Sequence, residues 1–135
     1  MKVYVASKTK HAADWQRYRL VGKSFNVDII STWIDEAGVG ETKSLEDLWL
    51  RCIGEASMCD ILLCFAQEEE VLKGALVEVG AALSSGKLVY YVGPKSIGSW
   101  LHHPLVLQFP SLEEAFRKLR DLGKAEKAGG GSSVK

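Results

Sequence analysis

The 135-residue sequence has few cysteines, no net charge and no long apolar run, and each absence excludes a class of protein. Its three cysteines, Cys52, Cys59 and Cys64, form no C-x-x-C pair, which argues against a disulfide framework and favours small buried thiols in a reducing compartment. Seventeen basic residues balance seventeen acidic ones, which argues against general affinity for nucleic acid or anionic membranes. No apolar run approaches the roughly 20 residues that span a bilayer, and the amino terminus lacks a signal-peptide core. We therefore expect a cytoplasmic protein.

Metal and dinucleotide sites also lack support in the sequence. The three histidines, His11, His102 and His103, do not have the spacing of zinc ligands. Neither a P-loop nor a G-x-G-x-x-G turn is present. We therefore predict no metal and no cofactor.

What the sequence does contain is a regular alternation of strand and helix patterns. Apolar runs of strand length cover residues 2–6, 26–30, 61–66, 87–92 and 105–109. Amphipathic patterns predict helices over residues 11–23, 45–56, 74–85 and 111–122, with Ser44 and Ser111 as N-caps. Such alternation is typical of a doubly wound sheet, whose ligands bind at the carboxyl ends of the strands.

We therefore predict one α/β domain over residues 1–123, a three-layer flavodoxin-like or Rossmann-like fold with a mostly parallel sheet of about five strands. Gly38 and Gly40 mark a loop before the second helix. Gly123 is expected to end the last helix. Residues 124–135, which end in a Gly/Ser run, are expected to form a disordered tail.

The predicted third helix carries a carboxylate where an apolar side chain is expected. Glu78 lies three residues after Ala75 and four before Ala82, so it shares the inward-facing stripe. Burying an unpaired charge costs several kcal/mol. Glu78 is therefore either a reactive or ligand-holding carboxylate, with Gly74 and Gly80 giving close backbone approach, or a helix-start glutamate that pairs with a lysine or turns outward. Periodicity alone leaves both interpretations open.

The segment GALVEVGAAL (residues 74–83), followed by GKLV (86–89), resembles the active-site helix and next strand of the nucleoside 2-deoxyribosyltransferase family. In that family a Gly-x-x-x-Glu-apolar-Gly segment carries the nucleophilic glutamate. The similarity extends loosely over residues 3–92 and includes the opening strand VYVAS. The closing segment SLEEAF resembles that of short bacterial or phage-type members of the family. The resemblance implies that Glu78 attacks the anomeric carbon of a (deoxy)ribosyl group, and that a second base or water resolves the resulting ester.

The acid that protonates the leaving base has two candidates. Asp47 is a possible counterpart of the family's base-contacting aspartate, or alternatively a capping carboxylate beside Ser44. Asp35 follows the second strand at the expected ligand edge, or is an exposed turn residue. Trp33 and Trp49 are candidates for stacking on a base, although tryptophans in such places also serve as packing.

The loop of residues 67–73 departs from the family pattern. Many family members have a base-recognising aspartate shortly before the glycine of the motif, whereas this loop reads QEEEVLK and has Leu72 there. Glu70 is the nearest candidate for a substrate contact, unless the run of three glutamates is only a solvated loop.

Further candidates for binding substrate lie at the strand ends. Ser7 is a candidate sugar or phosphate contact or a turn-initiating residue, and Lys8 and Lys10 would favour nucleotides over nucleosides. Gly74 would allow close approach of the ligand. His103 is a candidate for reaching a neighbouring subunit's pocket, because sites in this family are commonly completed across a dimer interface.

These observations predict cleavage or transfer at the N-glycosidic bond of a nucleoside or nucleotide, with Glu78 as nucleophile and a homodimer or higher homo-oligomer as the assembly. The alternative is a non-catalytic nucleotide-binding sensor or sequestering protein that keeps the same fold. Transfer and hydrolysis differ only in what resolves the intermediate, so the sequence leaves both open.

Overall fold

The computed structural model describes residues 1–36 and 44–129, which form alternating strands and helices. The strands are β1 (Lys2–Ala6), β2 (Asp28–Ile29), β3 (Ile61–Phe65), β4 (Leu88–Val92) and β5 (Val106–Phe109). The α-helices are α1 (Ala12–Lys23), α2 (Leu45–Met58), α3 (Gly74–Ser84) and α4 (Leu112–Ala128). Short 3₁₀ turns cover Thr9–His11, Thr32–Asp35, Lys95–Ile97 and Ser99–His102.

All strand pairs are parallel, in the order β2-β1-β3-β4-β5. Helices α2 and α3 pack against each other on one face. On the other face α1 meets α4, where the rings of Tyr18 and Phe116 stack with centroids 4.2 Å apart. The predicted three-layer α/β fold is therefore confirmed. From β1 the chain passes to β2 on one side of β1, and from β2 it crosses to β3 on the other side. The strand order therefore reverses between β1 and β3, and the ligand crevice is expected at the carboxyl ends of these two strands.

The central strands explain the continuous apolar runs in the sequence. From Val3 to Ala6 every β1 side chain is buried, and so are Ile61 to Cys64 in β3. A strand covered by helices on both faces has no solvent side, so its sequence does not alternate between polar and apolar residues. The same double cover buries Tyr4 completely, with consequences for the site described below.

The two outermost parts of the fold differ from the prediction. Strand β2 is only two residues long, because it pairs with β1 only at Lys2 and Val3. Helix α4 does not end at Gly123 but continues to Ala128, so the predicted disordered tail is wrong for residues 124–128. Gly123 is buried inside the helix, where a Cβ would lie 2.3 Å from the carbonyl oxygen of Phe25. This glycine therefore permits close packing and does not terminate the helix.

Two predicted segments cannot be compared with the structure in full. The loop at Gly38 and Gly40, and residues 130–135 of the predicted tail, lie outside the described residues. Across the ranges that the structure covers, none of the helices is both long enough and apolar enough to cross a membrane.

Candidate active site

A cleft of about 480 Å³ opens at the carboxyl end of β1, between the first turns of α2 and α3. One wall is the segment after β1, from Ser7 to Thr9, and the opposite wall is the segment from Leu72 to Ala75. Glu78, Cys52 and Trp33 lie deeper, and Leu45 and Trp49 of α2 lie at the entrance. This is the crevice that the strand order predicts.

Glu78 lies one turn into α3 and faces this cleft with only 8% of its surface exposed. Burial raises the pKa of its carboxyl to about 7, although the adjacent Tyr4 hydroxyl and Cys52 thiol offset part of the increase. Among residues 1–36 and 44–129 the Glu78 side chain forms no ion pair with a lysine, and it does not turn outward, so the structure does not support the second sequence-based interpretation. A carboxyl that titrates near neutrality in a cleft suits a nucleophile or an acid–base group.

The neighbours of Glu78 were missed as site residues by the sequence analysis. Tyr4 on β1 is fully buried, and its hydroxyl has no hydrogen-bond partner within 3.5 Å among residues 1–36 and 44–129. Its pKa is raised, first by burial and then by the Glu78 carboxylate. Burial likewise raises the pKa of Cys52 to about 11, so this thiol stays protonated at neutral pH. The one feature of the sequence that could have indicated Tyr4 as a site residue is its hydroxyl-bearing ring between two valines of β1.

Aromatic side chains form the apolar surface of the cleft. Trp33 is buried and donates its indole N–H to the carbonyl of Val5 at 2.9 Å, which fixes the ring. Trp49 is 39% exposed and covers the start of α3, where a Cβ on Gly74 would come within 3.0 Å of its ring. The prediction that Gly80 allows close backbone approach is wrong, since a Cβ there would have nothing within 4 Å among the described residues. The two indoles provide flat surfaces of the kind that bind planar bases.

The polar rim of the cleft is basic. Ser7 accepts a hydrogen bond from the Trp15 indole at 2.8 Å and donates to the carbonyl of Lys8 at 3.0 Å. Lys8 and Lys73 both line the cleft, and within the described ranges neither forms an ion pair. Glu36 also lines the cleft and forms an ion pair with Arg51. The rim therefore offers two ammonium groups to an anion.

Neither predicted acid lies on the cleft. Asp35 accepts hydrogen bonds from Arg19 Nη2 at 2.7 Å and from Nη1 at 3.0 Å, and these bonds hold the pKa of its carboxyl below the usual range. A carboxylate held ionised in this way is a poor proton donor. Asp47 is exposed and accepts from Arg51 Nε at 3.0 Å, while its own N–H donates to the Ser44 hydroxyl. The helix cap is therefore the Ser44 hydroxyl bound to the Asp47 backbone, while the Asp47 carboxylate is exposed and pairs with Arg51.

Two predicted substrate contacts also lie away from the cleft. Glu70 turns to the other side of its loop, where one carboxylate oxygen lies 2.8 Å from His11 Nε2 and 3.3 Å from Lys10 Nζ. His103 is exposed in the loop after β4, and its Nδ1 accepts from the N–H of Leu105 at 3.0 Å. The sequence did not indicate this position of Glu70, because its partners Lys10 and His11 are about 60 residues away in the chain. Among the residues described, no group of three or more potential metal ligands comes together.

The fold and this site define a class of protein: a flavodoxin-like α/β domain with a buried carboxylate in the crevice at the strand ends. No family model and no curated protein matches the chain. Solved structures do match, and the fold is that of the nucleoside 2-deoxyribosyltransferases.

Three such structures show the extent of the likeness. The CMP N-glycosidase of Clostridium botulinum has a TM-score of 0.64 and 15% identity, over 90% of this chain and 98% of its own. The 2-deoxyribosyltransferase of Bacillus psychrosaccharolyticus has a TM-score of 0.63 and 18% identity, over 85% and 90%. That of Leishmania mexicana has a TM-score of 0.65 and 16% identity, over 89% and 97%. At these identities the comparison establishes the fold.

Proposed function

We propose that this protein breaks the N-glycosidic bond of a nucleoside or nucleotide by a double displacement in which Glu78 is the nucleophile. The observation that carries the proposal is the buried Glu78 carboxyl on the cleft, with a pKa of about 7. The solved structures with the same fold include enzymes named for this type of chemistry, a CMP N-glycosidase and two 2-deoxyribosyltransferases.

The reaction proceeds in two steps. The ionised Glu78 carboxylate attacks the anomeric carbon, the bond to the base breaks, and the base leaves with the electron pair and takes up a proton from water in the open cleft. A glycosyl ester then joins the sugar to Glu78. Water or a second base attacks the same carbon, its proton is released to solvent, and the Glu78 carboxylate is regenerated.

The surroundings of Glu78 supply what these steps need. The Tyr4 hydroxyl beside Glu78 is a positioning group, because it is fully buried and free to donate to the carboxylate or the ester oxygen. The indoles of Trp33 and Trp49 bind the planar base. Because the nucleophile is the ionised form, activity is expected to rise with pH through a midpoint near 7.

The basic rim favours a 5′-monophosphate over an unphosphorylated nucleoside. Lys73 immediately precedes α3, and Glu78 lies about 6–8 Å farther along the helix axis at 1.5 Å per residue. A pentose and its 5′ carbon separate the anomeric carbon from a phosphate by a comparable distance. With Glu78 at the anomeric carbon, the phosphate would meet the ammonium groups of Lys73 and Lys8.

The test is release of free base, measured by chromatography, from a panel of deoxynucleosides, ribonucleosides and their 5′-monophosphates. We expect the monophosphates to be cleaved, Glu78→Gln to lose about a thousandfold or more in rate, and Asp47→Asn, a change on the exposed side of α2, to retain wild-type activity. A second free base in the reaction distinguishes transfer from hydrolysis. A slow 2-fluoro sugar substrate would add its glycosyl mass to the peptide that contains Glu78. Turnover that survives in Glu78→Ala would disprove the catalytic assignment.

The alternative, a nucleotide-binding protein without turnover, is favoured by one observation. Of the carboxylates described by the structure, only Glu36 and Glu78 line the cleft, and Glu36 is engaged with Arg51. Calorimetry decides between the two functions: binding of monophosphates that persists unchanged in Glu78→Gln, with no base released by the wild type, would establish the sensor. The homodimer stays a prediction, which light scattering on the purified chain would check.

A further inference from the structure

We propose that Glu70 and His11 form a positioning pair that fixes the spacing between the two walls of the Glu78 cleft. The inference rests on the proposed function, because it concerns how that cleft holds its substrate. It assigns Glu70 a role through the loop that it anchors, whereas the sequence suggested direct contact with substrate.

The pair is buried although both members are polar. The Glu70 side chain is 4% exposed and that of His11 is 8% exposed, and their facing atoms are 2.8 Å apart. The other Glu70 oxygen accepts from the backbone N–H of Gln67 at 2.8 Å. The His11 ring is held edge-on to Phe65, with centroids 5.1 Å apart. Lys10 reaches the same carboxylate at 3.3 Å from its exposed position.

Each member belongs to a different wall. His11 ends the 3₁₀ turn after β1, and its N–H donates to the carbonyl of Lys8 at 3.2 Å, so it is connected to the wall formed by Ser7 to Thr9. Glu70 lies two residues before Leu72 and three before Lys73, which belong to the opposite wall. The contact therefore joins segments 59 residues apart in sequence, behind the cleft they enclose.

A buried pair of polar side chains is a poor choice for stability alone at this place. Replacing both members of a buried pair by apolar side chains is often neutral or stabilising, whereas removing one member leaves an uncompensated group. What a hydrogen-bonded pair adds is a defined geometry. Burial would by itself raise the pKa of Glu70, but the Gln67 N–H, His11 and Lys10 together hold it below its usual range, so the carboxylate is ionised at neutral pH.

The test separates geometry from stability with three variants. Glu70→Leu breaks the pair, Glu70→Leu/His11→Phe replaces it by an apolar contact, and Glu70→Gln keeps a side chain that can bond both Gln67 and His11. Glu69→Gln, an exposed change in the same loop, is the matched control. The measurements are KM and kcat for a 5′-monophosphate of the panel that the wild type cleaves, the melting temperature, and amide hydrogen exchange of residues 7–11 and 67–73.

We expect KM to rise about tenfold in Glu70→Leu with kcat within about threefold, since Glu78 is held on α3 by other contacts. The double variant should recover the melting temperature but not KM, and Glu70→Gln should recover both. Faster exchange in both segments should accompany the KM increase. Recovery of KM together with the melting temperature in the double variant, or an unchanged KM in Glu70→Leu, would overturn the proposal.

Failure of the proposed function gives a different result. In that case the wild type releases no base from any nucleoside or 5′-monophosphate of the panel, and exchange alone tests the pair. Faster exchange in segments 7–11 and 67–73 of both Glu70→Leu and the double variant, with Glu69→Gln unchanged, would support the positioning role. Exchange that is the same in all variants would refute it.

Discussion

Replacing Glu78 by glutamine should stabilise the protein at alkaline pH and do little at acidic pH. Burial raises the pKa of this carboxyl from 4.5 to about 7, so the folded protein favours the protonated form. The stabilisation associated with that form is fully present below the unfolded pKa and is lost as the pH rises through the folded pKa. The shift corresponds to roughly 3 kcal/mol of unfolding free energy above about pH 8. Glutamine has nearly the same shape and does not ionise, so it avoids this loss.

Urea unfolding at about pH 5 and about pH 8.5 measures the effect. Between these conditions the stability of the wild type should fall relative to that of Glu78→Gln by roughly 2.5 kcal/mol, because a small part of the effect is already present at about pH 5. This is seen as a midpoint difference of about 1–2 M urea at constant slope. Comparing the two proteins at each pH cancels the titration of other groups, including Glu70, and Glu69→Gln should follow the wild type. Parallel pH profiles for the wild type and Glu78→Gln would refute the claim that the cleft holds Glu78 at an energetic cost.

Four further substitutions test local packing and the place of Asp35 outside the cleft. Gly93→Ala should lower the free energy of unfolding by about 2 kcal/mol or more in chemical unfolding, because its φ is +154° and a Cβ would lie 2.8 Å from a backbone oxygen. Gly80→Ala should raise it by about 0.5–1 kcal/mol, because alanine favours the helix and its Cβ would have nothing within 4 Å among the described residues. Gly74→Ala should displace the ring of Trp49, seen as altered tryptophan fluorescence and a KM raised about three- to tenfold. Asp35→Asn should leave kcat/KM within about twofold of wild type, since the carboxylate binds an arginine outside the cleft; a loss of a hundredfold would return Asp35 to the catalytic group.

The sequence located Glu78 correctly on the inward face of α3 because helical periodicity is a local property. Its environment followed from the fold. Tyr4 was placed on the first strand, but a central strand is buried on both faces, and nothing in an unbroken apolar run tells which face a residue occupies. Only the packing of α2 and α3 on that sheet put Tyr4 and Cys52 beside Glu78.

The carboxylates whose roles were misjudged have partners that are distant in sequence. Asp35 pairs with Arg19, 16 residues away, and Glu70 with His11, 59 residues away. A loop carboxylate has the same local pattern whether it faces substrate, solvent or an ion-pair partner. Its role is decided by which segments the sheet brings together.

Strand and helix patterns, N-caps and the anomalous Glu78 could therefore be deduced from the chain alone, since each depends on residues within a few positions of one another. Tertiary structure alone decided the surroundings of Glu78, the ion pairs behind the cleft, and the role of Gly123, which permits close contact with the loop at Phe25. Burial and pairing are set by contacts between distant segments, and no local pattern encodes those contacts.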